Sequence, residues 1–195
     1  GAPKHGVGPM DVALTLVAAL FPNGFVKNRV MEFFGEGIAS LPVEFRNGID
    51  VMTTETACLS SIWQTDDAVR EYYRIHGREA AYEALAPLSI AYYDRMVELD
   101  LSEVVPMIAL PFHPSNAMPI AEFKQNAEAI LRELDAKVKE QYPKLSMPSL
   151  TEKLRGDGFH ADQGEIAGCA GGTYDNLCMA ANILSGKSIG DGAFT

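Results

Sequence analysis

The sequence predicts an α/β protein: a three-layer α/β/α domain with a mostly parallel sheet, plus a helical insertion. Two observations carry this. Stretches with helical periodicity alternate with short runs of branched and aromatic residues, and Gly, Pro and Asn punctuate the boundaries. The chain of 195 residues is 47% hydrophobic and 22% charged, enough for one large domain or one domain and part of a second.

The elements follow in order. The segment 10-MDVALTLVAALF-21 is apolar on nearly every side, so the first helix is expected to be buried. Pro9 and Asp11 suit its first turn, and Pro22, Asn23 and Gly24 end it. The run 30-VMEFF-34 alternates and reads as a strand before the turn Gly35-Glu36-Gly37. A helix is predicted from residue 42 to 56, handing over to a strand in 58-CLSSIW-63. The next helix is 66-DDAVREYYRIHGR-78, with Thr65 as its cap, acids in the first turn, Arg74 and His76 near its end and Gly77 as terminator. A strand is predicted in 92-YYDRMVEL-99 and an extended, proline-punctuated segment in 106-PMIALPFHP-114. Residues 120–141 form a long amphipathic helix, 143-PKLSMPSL-150 a polar connector and 151-TEKLR-155 a short helix. Finally 164-GEIAG-168 is predicted as a strand running into a glycine-rich turn and a last helix. No internal repeat is present.

Charge and composition exclude some functions. The net charge is −10, and the 16 basic residues are scattered, which disfavours nucleic-acid binding because phosphate neutralisation needs clustered Lys and Arg. The longest apolar run, 12-VALTLVAAL-20, is too short to span a bilayer and lacks the flanks of a signal peptide. A cytoplasmic protein without a membrane partner is the expectation. Cys58, Cys169 and Cys178 are odd in number and unpaired in spacing, unlike a disulfide framework. There is no C-x-x-C and no H-x-x-x-H, so these residues spell out no complete metal site. The first residue is Gly rather than Met, and the expectation is a piece of a longer protein.

Two stretches are candidates for chemistry. In 168-GCAGGT-173 a strand, a tight turn and a helix start would point several backbone N–H groups at one spot. Cys169 there is suited to act as a nucleophile or a metal ligand, and Gly168, Gly171 and Gly172 would let a bulky ligand approach the backbone. Thr173 is the expected cap of the following helix, with Asp175 and Asn176 in its first turn. A phosphate cradle would want a lysine that this turn lacks. The same cysteine also reads as a small filler in a tight turn, and Cys178, among Leu177, Met179 and Ile183, reads as packing. The second stretch carries Glu55 at a helix-to-strand junction among Thr53, Thr54 and Thr56. Asn47, Val51 and Glu55 share one helical face, so Glu55 is either an acid/base group or a solvated helix end. His5, His76, His113 and His160 lack ligand spacing and read as surface or turn residues; His113 in 111-PFHP-114 is the least easily set aside.

The stretches 7-VGPMDVALTLVAAL-20, 31-MEFFGEGIASLPVEFRNGIDVMTTE-55, 92-YYDRMVELDLSEVVPMIALPF-112 and 166-IAGCAGGTYDNLCMAANIL-184 together resemble the aconitase superfamily, in the family's order. The shared pattern is a P-x-D-V helix, an E-[FY]-x-G-x-G turn, a helix ending near an acid, an E-[IL]-[DN]-L-S-E segment and a G-[ST]-C-T-N turn before a helix. The resemblance implies a four-lobed hydro-lyase whose 4Fe–4S cluster, held by three cysteines, leaves one iron open to a hydroxy-polycarboxylate of the citrate/isocitrate type. Residues 1–115 would be the second lobe. Residues 116–195 would be a helical insertion and the beginning of the third, cluster-ligating lobe, with 124–160 lineage-specific. Cys169 would be the first cluster ligand, the other two lying beyond Thr195 in further lobes of the same chain, and Glu55 would be the active-site glutamate. The isolated piece is then expected to be inactive and to hold no cluster. Departures from the pattern are Val51 in place of an asparagine, and Gly168, Ala170 and Gly171 around the cysteine. They keep alive a second reading, a non-enzymatic or divergent scaffold with a binding or regulatory role, and a third in which Cys169 works as a lone thiol.

Overall fold

The first helix, α1 (Pro9–Leu20), is the element around which the rest packs. Val12, Ala13, Leu14, Leu16, Val17 and Leu20 are all buried, as an all-round apolar helix requires. Val12, Leu16 and Leu20 join Val26, Leu41, Ile49, Leu101 and Val104 in the main core. Each such side chain contributes about 1.5–3 kcal/mol on burial, so this cluster outweighs any polar contact nearby. Asp11 secures the helix start: one carboxylate oxygen accepts from the Gly8 amide at 2.7 Å, and the other from the Met107 amide at 2.7 Å. The structure, a computed structural model, describes residues 1–156 and 158–187.

A parallel strand pair lies beside α1. Strand β1 (Val30–Phe33) and strand β2 (Ser60–Trp63) pair in register from Val30↔Ser60 to Phe33↔Trp63, and the Phe33 and Trp63 rings stack at 4.2 Å. Parallel strands need a crossover, and here helix α2 (Val43–Asp50) supplies it. The single helix predicted from 42 to 56 is in fact α2 followed by a 3₁₀ turn, Val51–Thr56, ending at Ala57 in the left-handed region (φ 61°). Asp50 at the junction accepts from Trp63 Nε1 at 2.8 Å and from Ser61 Oγ, pinning the turn to β2.

Helix α3 (Asp67–Ile75) is capped by Asp66, whose carboxylate accepts from the Val69 amide at 3.2 Å. The expected cap, Thr65, bonds instead to Leu85 through both backbone and hydroxyl. Asp66 does double duty, because Arg46 of α2, only 3% exposed, donates to both of its oxygens at 3.1 and 2.6 Å. The guanidinium also donates to the carbonyls of Leu41 and Ile38.

The predicted strand at 92–99 is irregular backbone. Alternation alone makes no strand without an edge to pair with. This segment is held by side chains: Tyr93 donates to Glu32 at 2.6 Å, and the Arg95 guanidinium lies 4.9 Å from the Phe25 ring centre. Strands β3 (Met107–Ala109) and β4 (Ala117–Pro119) form a hairpin on α1 and lead directly into α4 (Ile120–Gln141), whose bounds match the expectation. Phe123, Leu131 and Leu134 are its buried face. The helix expected at 151–155 is a 3₁₀ turn, Leu150–Lys153, running into a small hairpin of β5 (Leu154–Arg155) and β6 (Gly158–Phe159). No strand forms at 164–168; a single helical turn, α5 (Gly168–Gly171), precedes α6 (Tyr174–Leu184).

The α/β class therefore holds. Among the described residues the strands make one parallel and two antiparallel pairs rather than a single mostly parallel sheet. The two runs expected to widen that sheet, 92–99 and 164–168, remain unpaired.

Candidate functional site

Glu55 projects from the 3₁₀ turn with its side chain 40% exposed, and His113 from the β3–β4 loop faces it, His113 Nε2 lying 3.5 Å from Glu55 Oε2. The three threonines around Glu55 do not serve it. Thr53, Thr54 and Thr56 donate their hydroxyls to the carbonyls of Asp50, Val51 and Thr53 of their own turn. Val51 lies one turn earlier and is half-buried.

His113 is held on both faces of its chemistry. Its ring stacks on Phe21, just past the end of α1, at 3.9 Å and 23°. Its Nδ1 accepts from the Ser115 amide at 3.1 Å and lies 3.0 Å from Ser115 Oγ. An amide can only donate, so this contact matches the neutral tautomer with its hydrogen on Nε2, the atom that faces Glu55. The sequence pattern places His113 among surface and turn residues, as the histidine least easily set aside. The signal lay in the loop wording 113-HPSN-116, where a serine two residues on can bond back to the ring, but the partner at Glu55 depends on tertiary packing.

Cys169 is exposed and lies in α5, which packs against α2, α1 and the 3₁₀ turn that carries Glu55. The elements of both candidate residues thus meet. Cys169 sits in its own single helical turn rather than at the start of the long helix. Two of the glycines serve the turn itself. Gly168 has φ +83°, and a Cβ on Gly172 would lie 2.7 Å from the Gly168 carbonyl oxygen; around Gly171 a Cβ would meet nothing within 4 Å. Thr173 makes no side-chain cap for α6. That role falls to Glu44 of α2, which accepts from the Asp175 amide at 2.9 Å, while Asn176 Nδ2 donates to the Ala170 carbonyl at 3.1 Å. The turn seats on α2 where Gly48 lies, a position whose added Cβ would be 2.8 Å from Pro9 and 3.6 Å from the Ala170 oxygen.

The other cysteines do not join Cys169. Cys58 donates to the Thr53 carbonyl at 3.3 Å and packs against the core. Cys178 is exposed on α6, contrary to the packing role expected of it, and its hydrogen bond to Tyr174 pushes that phenol's pKa up. Among the described residues no three His, Cys, Asp or Glu side chains gather as a metal site. The exposed thiol of Cys169 fits one ligand of an iron–sulfur cluster, but this set of residues does not complete one. An open hollow of about 250 Å³ between Phe112 and the Leu134, Val138 and Tyr142 side chains of α4 is wholly apolar, which is unsuited to a polycarboxylate. No helix among the described residues is long and apolar enough to cross a membrane.

Comparison with known proteins extends this geometry. The model of the aconitase family (aconitate hydratase) matches residues 1–194. The phosphinomethylmalate isomerase of Streptomyces viridochromogenes is 28% identical over 97% of this chain and 22% of its own length. The 3-isopropylmalate dehydratase large subunit of Picrophilus torridus is 27% identical over 97% of this chain and 37% of its own. The aconitate hydratase A of Streptomyces viridochromogenes is 32% identical over 70% of this chain and 16% of its own. The chain thus spans well under half the length of these relatives.

Proposed function

The chain belongs to the aconitase family, and on that premise we propose that its parent protein is a hydro-lyase that removes water from, and returns it to, a hydroxy-polycarboxylate. The names of the relatives, a hydratase, a dehydratase subunit and an isomerase of a malate derivative, support this class of reaction. The citrate/isocitrate and isopropylmalate types of substrate are the first to test. The observation that carries the reading is the half-exposed Glu55 carboxylate, on a turn against which the Cys169-bearing α5 packs.

In dehydration a C–O bond and a C–H bond break on neighbouring carbons, and the departing hydroxyl leaves as water once it gains a proton. Glu55 in its acid form donates that proton, and in the return direction its carboxylate takes a proton from the incoming water. The group that removes the carbon-bound proton and the cations that bind the substrate carboxylates belong to other lobes of the parent chain. Cys169 provides one thiolate for a 4Fe–4S cluster, with the remaining ligands outside this chain. Such a cluster, when bound, supplies an open iron as Lewis acid at the substrate hydroxyl. Residues 1–115 represent the second lobe and 116–195 an insertion with the beginning of the third.

The test is anaerobic reconstitution of the full-length parent with iron and sulfide, then a screen of hydroxy-di- and tricarboxylates for formation of the unsaturated acid. Turnover of at least one is expected. Glu55→Gln should lower kcat by about 10²- to 10⁴-fold at unchanged cluster content, whereas Cys169→Ala should lower the cluster content itself. A cluster-replete parent that turns over none of the acids would favour the scaffold reading instead.

A further inference from the structure

We propose that Asp50 is a positioning residue for Glu55: its carboxylate, bonded to Trp63 and Ser61 of β2, clamps the 3₁₀ turn to the β1–β2 pair and so fixes where the Glu55 carboxylate stands. This rests on the reading of Glu55 as the proton-carrying group.

The turn has little of its own to hold it. Six residues, Val51–Thr56, make a long 3₁₀ helix, since its hydrogen bonds are poorly aligned and runs seldom exceed three or four. Thr53, Thr54 and Thr56 each turn their hydroxyl onto the carbonyl three residues back, at 2.7, 3.1 and 2.6 Å, a local bond that competes with helical pairing. The chain then leaves through Ala57 at φ 61°, a conformation that a residue with a Cβ keeps only when its surroundings impose it. Glu55 sits two residues before that exit. Its place is therefore set from outside the turn.

The outside hold begins at Asp50, the last residue of α2. Peptide dipoles disfavour a carboxylate at a helix C-terminus, so helix stability gives no reason for an acid there. The reason lies in its Oδ1, which accepts from Trp63 Nε1 at 2.8 Å and also from Ser61 Oγ. Both donors belong to β2, and β2 is itself fixed. Ser61 pairs with Met31 and Trp63 with Phe33 of β1, where the two rings stack at 4.2 Å.

The clamp also reaches into the turn. Ser61 Oγ lies 3.2 Å from Thr53 Oγ1, two residues from Glu55, and the Cys58 thiol donates to the Thr53 carbonyl at 3.3 Å. At the far end the Asn28 amide, just before β1, donates to the Ala57 carbonyl at 3.0 Å. Held at Asp50, Thr53 and Ala57, the backbone at Glu55 is fixed against the strand pair. Without Asp50 the first of these three holds is lost, and Ser61 loses the acceptor that keeps its hydroxyl beside Thr53.

The experiment has two arms. In the reconstituted parent, Asp50→Ala should lower kcat about 10- to 100-fold, the scale of a displaced catalytic group, with KM and cluster content little changed. Asp50→Asn, which keeps an acceptor oxygen at the same place, should recover most of that loss. Trp63→Phe keeps a ring for Phe33 but no N–H, and should lower kcat in the same direction; it serves where Asp50→Ala does not fold. In the 195-residue chain itself, Trp63 is the one tryptophan, so its indole N–H gives a single NMR signal. That signal should move upfield in Asp50→Ala. Amide order parameters at Glu55 and Thr56 should fall there from about 0.85 to below about 0.6, with those of α1 unchanged. A merely structural Asp50 would lower the melting temperature and leave these order parameters and kcat at native values, which overturns the proposal. Normal kcat in Asp50→Ala, or in Trp63→Phe where that variant stands in, beside an impaired Glu55→Gln overturns the positioning role and leaves the function standing. Normal kcat in Glu55→Gln overturns both. Asp50→Asn no better than Asp50→Ala overturns the clamp. Where no acid in the screen is turned over, native order parameters at Glu55 and Thr56 in both Asp50→Ala and Trp63→Phe overturn it as well.

Discussion

Replacing Asp66 should expose how strongly the front of the molecule depends on one buried cation. Arg46 is 3% exposed and makes four hydrogen bonds, two of them to Asp66 at 3.1 and 2.6 Å. Asp66→Ala leaves that guanidinium buried with half its partners, a loss of about 3–5 kcal/mol, and removes the cap of α3, about 1 kcal/mol more. Because the Asp66 side chain is 29% exposed, water can reach the vacated place, so the lower end applies and the total should be about 3–4 kcal/mol. Asp66→Asn keeps the cap but not the charge and should lose about 1 kcal/mol less. For a chain of this size the alanine variant should melt about 6–16 °C lower, as followed by circular dichroism during heating, with urea unfolding as a check. The pH dependence has a definite sign. Burial pushes the Asp66 carboxyl up, but hydrogen bonds from Arg46 and the Val69 amide, with the Arg46 charge, pull it below its ordinary value of 3.8. A carboxyl depressed in the folded state contributes stability above its unfolded value and loses it as pH falls through the folded one. The gap between native chain and Asp66→Asn should therefore narrow below about pH 3.8. A melting shift under 2 °C for Asp66→Ala, about 0.5–1 kcal/mol, would refute the view that Arg46 relies on this partner.

Three further outcomes are expected. Gly48→Ala would place a Cβ 2.8 Å from Pro9 Cβ, so the strain of about 1–3 kcal/mol should exceed the gain of about 1 kcal/mol in helix propensity, and urea unfolding should show a net loss. Gly172→Ala would drive a Cβ to 2.7 Å from the Gly168 oxygen and should cost about 1–3 kcal/mol, whereas Gly171→Ala, with open space around it, should stay within about 0.5 kcal/mol in the same assay. The isolated chain, treated anaerobically with iron and sulfide, should bind far less than one cluster and leave citrate untouched; stoichiometric iron with turnover would contradict the single-ligand account.

Much of the scaffold was legible because it depends on local pattern. The apolar ring of α1 and the amphipathic length of α4 follow from side-chain periodicity, and both helices sit where that periodicity ends. What escaped depends on distant partners. The segments 92–99 and 164–168 have the composition of strands but no neighbouring edge. In the run Thr65-Asp66-Asp67 any of the first two can cap a helix, and the choice of Asp66 comes with Arg46 arriving from α2. Thr173 has the right residue type for a cap, yet Glu44 does the work. At the candidate site, Glu55 and Cys169 stand out in the sequence by their setting, while His113 gains meaning only when the β3–β4 hairpin lays it on Phe21.

The Glu44 contact with Asp175 has a consequence for how the chain is made. The two residues are 131 positions apart. At about 5–20 residues per second, a ribosome needs roughly 7–26 s to supply Asp175 after Glu44 has emerged. During that interval the Glu44 carboxylate waits without the Asp175 amide, and the cysteine-bearing turn is not yet there to cover this flank of α2. Synthesis that stalls after α4 would leave that flank uncovered, so a chain cut there should lack the α2–α5 packing while keeping the core around α1.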